Sequence, residues 1–258
     1  MQSPWQHYTT GTGQIHAADT RVRLLLNGAS RTNYNDAQLD DYQRTGRVAL
    51  LRRPPLTMRL RARFSHPEGV LRGTMGFGFW NYPIALPPAP PRALWFFYQA
   101  PPGNLPLAMG VAGGGCWKAA TIDTGRARAL ALAPFAPLVV PLLRLPRLFR
   151  GLWPPIQWAV GVAETPVRVP MEAWHEYELV WGATTSCFRV DGRVVLADAP
   201  SPRGPLCAVI WMDNQYLIVT PQGRLGWGLL DLAGPQWLEV ERLELEKRNL
   251  EGEGFVLP

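Results

Sequence analysis

Residues 174–195 read WHEYELVWGATTSCFRVDGRVV. Tyr177, Leu179 and Trp181 alternate with Glu176, Glu178 and Val180, the period-two pattern of a strand that buries one face. Asp191-Gly192 then lies between two β-branched runs, a strong hairpin signal that sets the register of the returning strand. The same signals recur along the chain, with strands predicted near 47–52, 57–64, 73–80, 93–99, 175–182, 186–190, 193–197, 206–212, 215–220 and 236–246. Asn27-Gly28, after VRLLL, is a second hairpin-type pair. So many short strands predict an all-β fold, an antiparallel sandwich or barrel, in one domain over 1–258.

Composition agrees with a packed fold. Hydrophobic residues make up 47% of the chain and charged residues 18%, which supplies a core and argues against disorder. The net charge of +6 raises the question of an acidic partner. Only Lys118 and Lys247 are lysines, and Arg59, Arg61 and Arg63 alternate with Leu60 and Ala62 as a solvent face would. A nucleic-acid partner is therefore not expected. Cys116, Cys187 and Cys207 show no metal-type spacing and are odd in number, so neither a zinc site nor a disulfide framework is indicated. No acidic cluster marks a calcium site, and no cofactor is implied. MQSPWQHYTTG lacks a basic start and an apolar core, so a cytoplasmic location is the expectation.

One segment breaks the strand pattern. ARALALAPFAPLVVPLLRLPRLFRGLWPPIQWAV, residues 127–160, is apolar, holds six prolines, and places Arg144, Arg147 and Arg150 at i, i+3, i+6 spacing. The prolines forbid one continuous helix, and a membrane span needs about 20 uninterrupted apolar residues. Short helical turns packed over the sandwich, serving as a lid in their functional form, are one reading. An amphipathic patch that touches a membrane surface is the other.

A family resemblance enters with residues 174–195. Trp174, His175, Tyr177, Trp181, Val190, Asp191 and Gly192 fall in step with a strand pair of glycoside hydrolase family 16 and related concanavalin A-like sandwiches. WLEVERLELEK, 237–247, is similar to that family's final strand, and PPLTMRLRARFSHPEGVLRGTMGFGFWN, 54–81, resembles the paired strands before its active site. The resemblance covers about 55–247 in order, and implies a two-sheet jelly-roll sandwich that handles saccharides. Its catalytic strand carries two glutamates and an aspartate, spaced E-x-D-x-x-E, because retaining hydrolysis needs two carboxyls about 5–5.5 Å apart. The matching segment here, RALWFFYQAPPG at 92–103, has no acid, and none occurs between Glu68 and Asp123. A pseudoenzyme is the resulting expectation.

The matching strand instead has aromatic residues on both faces. Trp80, Trp95, Tyr98 and Trp117 are ring candidates for a groove, with Asn81, Gln99 and Lys118 as polar neighbours; the alternative for any one ring is the core. GVAGGGCWK at 110–118 offers an anion nest with Lys118, or a Cys116 nucleophile with one of the four histidines, but matches no phosphate-loop order. Asp213, Asn214 and Gln215 interrupt an apolar run, so they line the groove or form a hairpin turn. The leading expectation is a non-catalytic binder of a saccharide or similar small ligand. The alternatives are a divergent glycoside hydrolase using Asp213 with a second acid such as Asp123, and a pocket for a hydrophobic metabolite or lipid under 127–160.

Overall fold

The computed structural model describes residues 5–18, 20–42, 50–82, 89–106 and 108–247. The chain begins with β1 (Gln6–Thr10), β2 (Gly13–Ala18), β3 (Arg21–Ala29) and β4 (Asp36–Asp40). Then come β5 (Leu56–Phe64), β6 (Thr74–Trp80), β7 (Arg92–Gln99) and β8 (Lys118–Asp123). Helices α1 (Ala127–Leu132), α2 (Ala136–Leu142) and α3 (Pro146–Ala159) follow, with a single 3-10 turn at Ala133–Phe135. The chain closes with β9 (Ala163–Pro166), β10 (His175–Trp181), β11 (Thr185–Val190), β12 (Arg193–Pro200), β13 (Cys207–Asp213), β14 (Gln215–Val219), β15 (Leu225–Leu229) and β16 (Leu232–Lys247).

Among the described residues the strands form two antiparallel sheets of seven. One runs β1-β4-β13-β6-β7-β8-β9 and the other β12-β11-β10-β5-β16-β3-β2, with β14 and β15 as a separate ribbon. This is an antiparallel two-sheet β-sandwich. Alternation along each strand sends one set of side chains inward. Phe77, Phe79 and Phe96 from the first sheet meet Tyr177, Trp181 and Phe188 from the second, with ring centroids 5.0–5.3 Å apart. Each such side chain, taken out of water, contributes about 1.5–3 kcal/mol.

The opening hairpin forms as read. Asp191 and Gly192 adopt φ of 50° and 74°, the left-handed pair that a two-residue hairpin turn requires, and Tyr177, Leu179 and Trp181 are buried while Glu176 is exposed. On β5 the arginines point outward, where Arg59 pairs with Glu178 at 2.8 Å and Arg63 with Glu239 at 2.7 Å. Arg61 and Arg63 also lie over the Trp174 ring. The basic stripe is thus one half of a cross-strand ladder with acidic β10 and β16.

Several sequence expectations need correction. Asn27-Gly28 is not a hairpin turn: Gly28, at φ +77°, lies within β3 opposite an irregularity between Leu232 and Pro235. Of the strand expected at 47–52, residues 47–49 lie outside the described residues, and the rest contributes only a bridge from Arg52 to Leu206. β1, β2, β4, β8, β9 and β15 lie outside the predicted strand ranges, being short or without apolar alternation, and β3 lies outside them too, its VRLLL run continuing through Asn27-Gly28 instead of turning there. The insertion is helical, with prolines at the first turns and in α2 and α3. It does not pack as a sheath over the sandwich, since only Ala129, Leu143 and Ala159 within 127–160 are buried.

Candidate functional site

The rings of ALWFFYQ, 93–99, divide between the two faces of β7. On β7, Leu94, Phe96 and Tyr98 belong to the core between the sheets. Ala93, Trp95, Phe97 and Gln99 take the outer face of the first sheet, by alternation. The register extends this face into cross-strand rows, neighbouring strands being about 4.8 Å apart. One row reads Tyr8, Gln38, Trp211, Gly76, Phe97 and Lys118. The next reads Gln6, Asp40, Val209, Gly78, Trp95, Ala120 and Glu164. A third holds Thr10, Asp36, Asp213, Thr74 and Gln99.

The rings form a continuous stripe. Tyr42, Tyr82, Trp80, Trp95 and Trp211 touch in sequence, with centroids 5.1–6.4 Å apart, and Phe97 stacks on both Trp95 and Trp211. Trp80, Trp95 and Trp211 are half-buried. The stripe depends on β6 having no side chain at its centre. A Cβ on Gly76 would meet the Trp211 ring at 2.9 Å and the Phe96 carbonyl at 2.2 Å, and one on Gly78 would meet Trp95 Cβ at 2.8 Å. The two glycines therefore let indoles from either side lie across the strand. The indole N–H groups of Trp80 and Trp95 are buried and have no hydrogen-bond acceptor among the described residues.

Beside the rings lies an acidic corner. Asp213 is opposite Asp36 in direct register, which places their Cβ atoms about 4.5–5.5 Å apart. Asp213 Oδ1 accepts from the Thr74 amide at 3.1 Å, the Thr74 hydroxyl at 2.9 Å and the Gln215 amide at 3.0 Å, while Oδ2 accepts from Gln215 Nε2 at 2.6 Å. Burial nonetheless pushes its carboxyl up to about 7, against those hydrogen bonds. Asp36 is raised as well, by burial first and then by the charge of Asp213, with a bond from Tyr34 opposing. Its Oδ1 has no partner among the described residues. Gln38 Nε2 donates to Asp40 Oδ2 at 2.9 Å.

Only part of the expected constellation assembles here. Trp80 and Trp95 are on the stripe, and Asp213 is at its corner. Trp117 and Tyr98 are not: Trp117 is wholly buried among Phe64, Phe77 and Phe96, and the Tyr98 hydroxyl donates to the Leu71 carbonyl inside the sandwich. Asn81 clamps the end of β6, donating to the Pro90 carbonyl and accepting from the Arg92 amide. Gln99 is fully buried and ties the 104–116 loop to β14 through the Gly113 carbonyl and the Leu217 amide. Lys118 is likewise buried, paired with Glu164 and donating to the carbonyls of Leu105 and Ala112, so it belongs to no anion nest. Asn214 is a clip: its side chain accepts from the Asn35 amide and donates to the carbonyls of Ser30, Asn33 and Leu230. Asp213 to Gln215 is no hairpin turn, because β13 and β14 belong to different sheets.

Asp123 does not join Asp213. It sits at the opposite end of the sheet and three strands over, on the order of 25 Å away by strand geometry. Burial works to raise its carboxyl, but Arg203 and then Arg126 hold it below the ordinary value. Burial pushes the Cys116 thiol up, and His16, His66 and His175 bond to Gln14, Ser65 and Asp191 rather than to it. A shallow depression on the outer face of the second sheet is walled by Arg59, Arg61, Glu178 and Arg189, side chains already joined in the ion-pair ladder.

Sequence reading missed Asp36, Gln38, Asp40, Phe97, Trp211 and Glu164. A signal for the first three was present: DAQLD at 36–40 sets polar groups at every second residue, with Ala37 and Leu39 in the core between them. Nothing in the sequence pairs that strand with Trp211.

No family model matches the chain, and no curated protein matches it. Solved structures are similar in fold. A Crh5 transglycosylase in complex with NAG is 13% identical, with 95% of this chain and 79% of that one covered and a TM-score of 0.48. A pseudo beta-1,3-glucanase of Mycobacterium tuberculosis is 10% identical over 95% and 91%, TM-score 0.46. The alginate lyase AlyC3 in complex with dimannuronate is 10% identical over 88% and 74%, TM-score 0.44. A sialidase also matches, of whose length the chain spans 17%.

Proposed function

We propose that the outer face of the first sheet binds a saccharide, with Trp80, Trp95 and Trp211 as the stacking surface and Asp36, buried with its Oδ1 unpartnered among the described residues, as the hydrogen-bonding group beside it. The observation that supports this most directly is the row of three half-buried indoles in mutual contact on the side away from the core. Large rings left part-exposed in a contiguous patch mark binding surfaces. Sugar rings present apolar C–H faces to such indoles while amides and carboxylates take their hydroxyls, the usual division of labour in a small-ligand site. Binding without turnover is the favoured form, because among the described residues the hydrogen bonds to the Asp213 carboxyl come from Thr74 and Gln215, which hold it within the protein.

A second reading has one specific observation behind it. Asp36 and Asp213 are in register and both raised, as a carboxyl acting as a general acid would be. This replaces the Asp213 and Asp123 pairing considered above. A glycan and polysaccharide binding screen, with reducing-end release assayed on every hit, separates the two. Binding that is lost in Trp95→Ala and Trp211→Ala, without release, is the expected outcome. Release abolished by Asp36→Asn would replace it with the hydrolase, and affinity unchanged in both Trp variants would remove the aromatic face from consideration.

A further inference from the structure

The helical insertion and the β14–β15 ribbon carry apolar side chains that the fold does not use. Leu138 is 72% exposed, Leu225 79% and Trp227 71%, with Phe135, Leu142 and Leu145 also exposed. On the ribbon, Leu217 is opposite Trp227 and Val219 opposite Leu225, so all four share one face. The two elements meet. Val140 of α2 lies over Gly223 at the ribbon's turn, where a Cβ would be 2.5 Å from Val140 Cγ1, and Arg144 Nε donates to the Gln222 carbonyl at 3.3 Å.

The charge on this surface has one sign. No Asp or Glu occurs between Asp123 and Glu164, while Arg144, Arg147 and Arg150 follow one another at i, i+3, i+6 and Arg224 lies in the ribbon's turn. All four are exposed, and none pairs with a carboxylate among the described residues. Among the described residues no helix is long and apolar enough to cross a membrane. Exposed leucine, phenylalanine and tryptophan beside unpaired arginine are what an interfacial element presents to acyl chains and headgroups.

We propose that this surface docks on a bilayer containing anionic lipid, with the helices lying in the interface and Arg147 and Arg150 on the headgroups. The charge complementarity selects an anionic membrane over a second copy of the chain, whose matching surface would bring the same arginines together. The proposal is independent of saccharide binding, which uses the outer face of the first sheet.

Flotation with vesicles of phosphatidylcholine, alone or with about a third phosphatidylglycerol, tests it. The chain is expected to float with the anionic vesicles and to be released by high salt. R147A/R150A should lower the partition coefficient roughly 25-fold, about fivefold for each basic residue near the surface. L138S/W227S should abolish flotation while melting like the wild type, since both residues are exposed. The proposal is overturned if the wild type fails to float with anionic vesicles, or if both variants float as it does. It is also overturned if sedimentation shows a dimer that L138S/W227S dissociates and the wild type does not float.

Discussion

Asp213 has a consequence that can be measured without any ligand. Its carboxyl, near 3.9 in an unfolded chain, is pushed up to about 7 by burial in the folded protein. Between those values the folded state binds a proton that the unfolded state has released, so stability falls as pH rises, and the loss is complete above the folded value. Well below the folded value each pH unit changes the folding constant about tenfold, and the slope halves at that value, so the interval from about pH 5 to pH 7 costs roughly 50-fold, about 2.3 kcal/mol. Asp36 is raised too and adds a slope of the same sign. Glu178, Glu239 and Asp123 are held below their ordinary values, so their contribution is lost only as pH falls beneath this interval. Asp213→Asn keeps the shape, because the Gln215 amide can turn over and accept from the new one. Urea unfolding of both proteins at about pH 5, 6 and 7.5 should show the wild type losing about 2.5 kcal/mol more than the variant. Parallel curves would refute the assignment of a buried, protonatable Asp213.

The same structure separates core rings from site rings and locates a buried ion pair. Trp117→Ala should cost about 3–5 kcal/mol in urea unfolding, because it empties the centre of the sandwich, whereas Trp211→Ala should cost less and act on saccharide affinity instead. Lys118→Met leaves the buried Glu164 carboxylate without its cation and should cost about 3–5 kcal/mol. Adding Glu164→Gln should recover part of that loss, and a double-mutant cycle with no coupling would show that the pair is not formed.

The two-sheet sandwich was legible in the residues wherever local pattern and local pairing coincide. Tyr177, Leu179 and Trp181 alternate within one strand, and Asp191-Gly192 forces the next strand back beside it, so neighbouring residues carry the whole instruction. The apolar 127–160 segment was equally legible as interrupted helix, since proline acts on its own turn. What the chain could not show locally was which strands adjoin. Asp36, Asp213 and Thr74 share a row although β4, β13 and β6 are far apart in sequence. The aromatic stripe likewise needs Gly76 and Gly78 of β6 to lie between Trp95 and Trp211 of its two neighbours. Period-two alternation determines that a residue faces one side of its own strand. Whether that side is the core or the binding face, and which side chains from other strands it meets there, depends on non-local pairing, and this is why Trp117 and Trp95, alike in sequence, belong to opposite faces of one sheet.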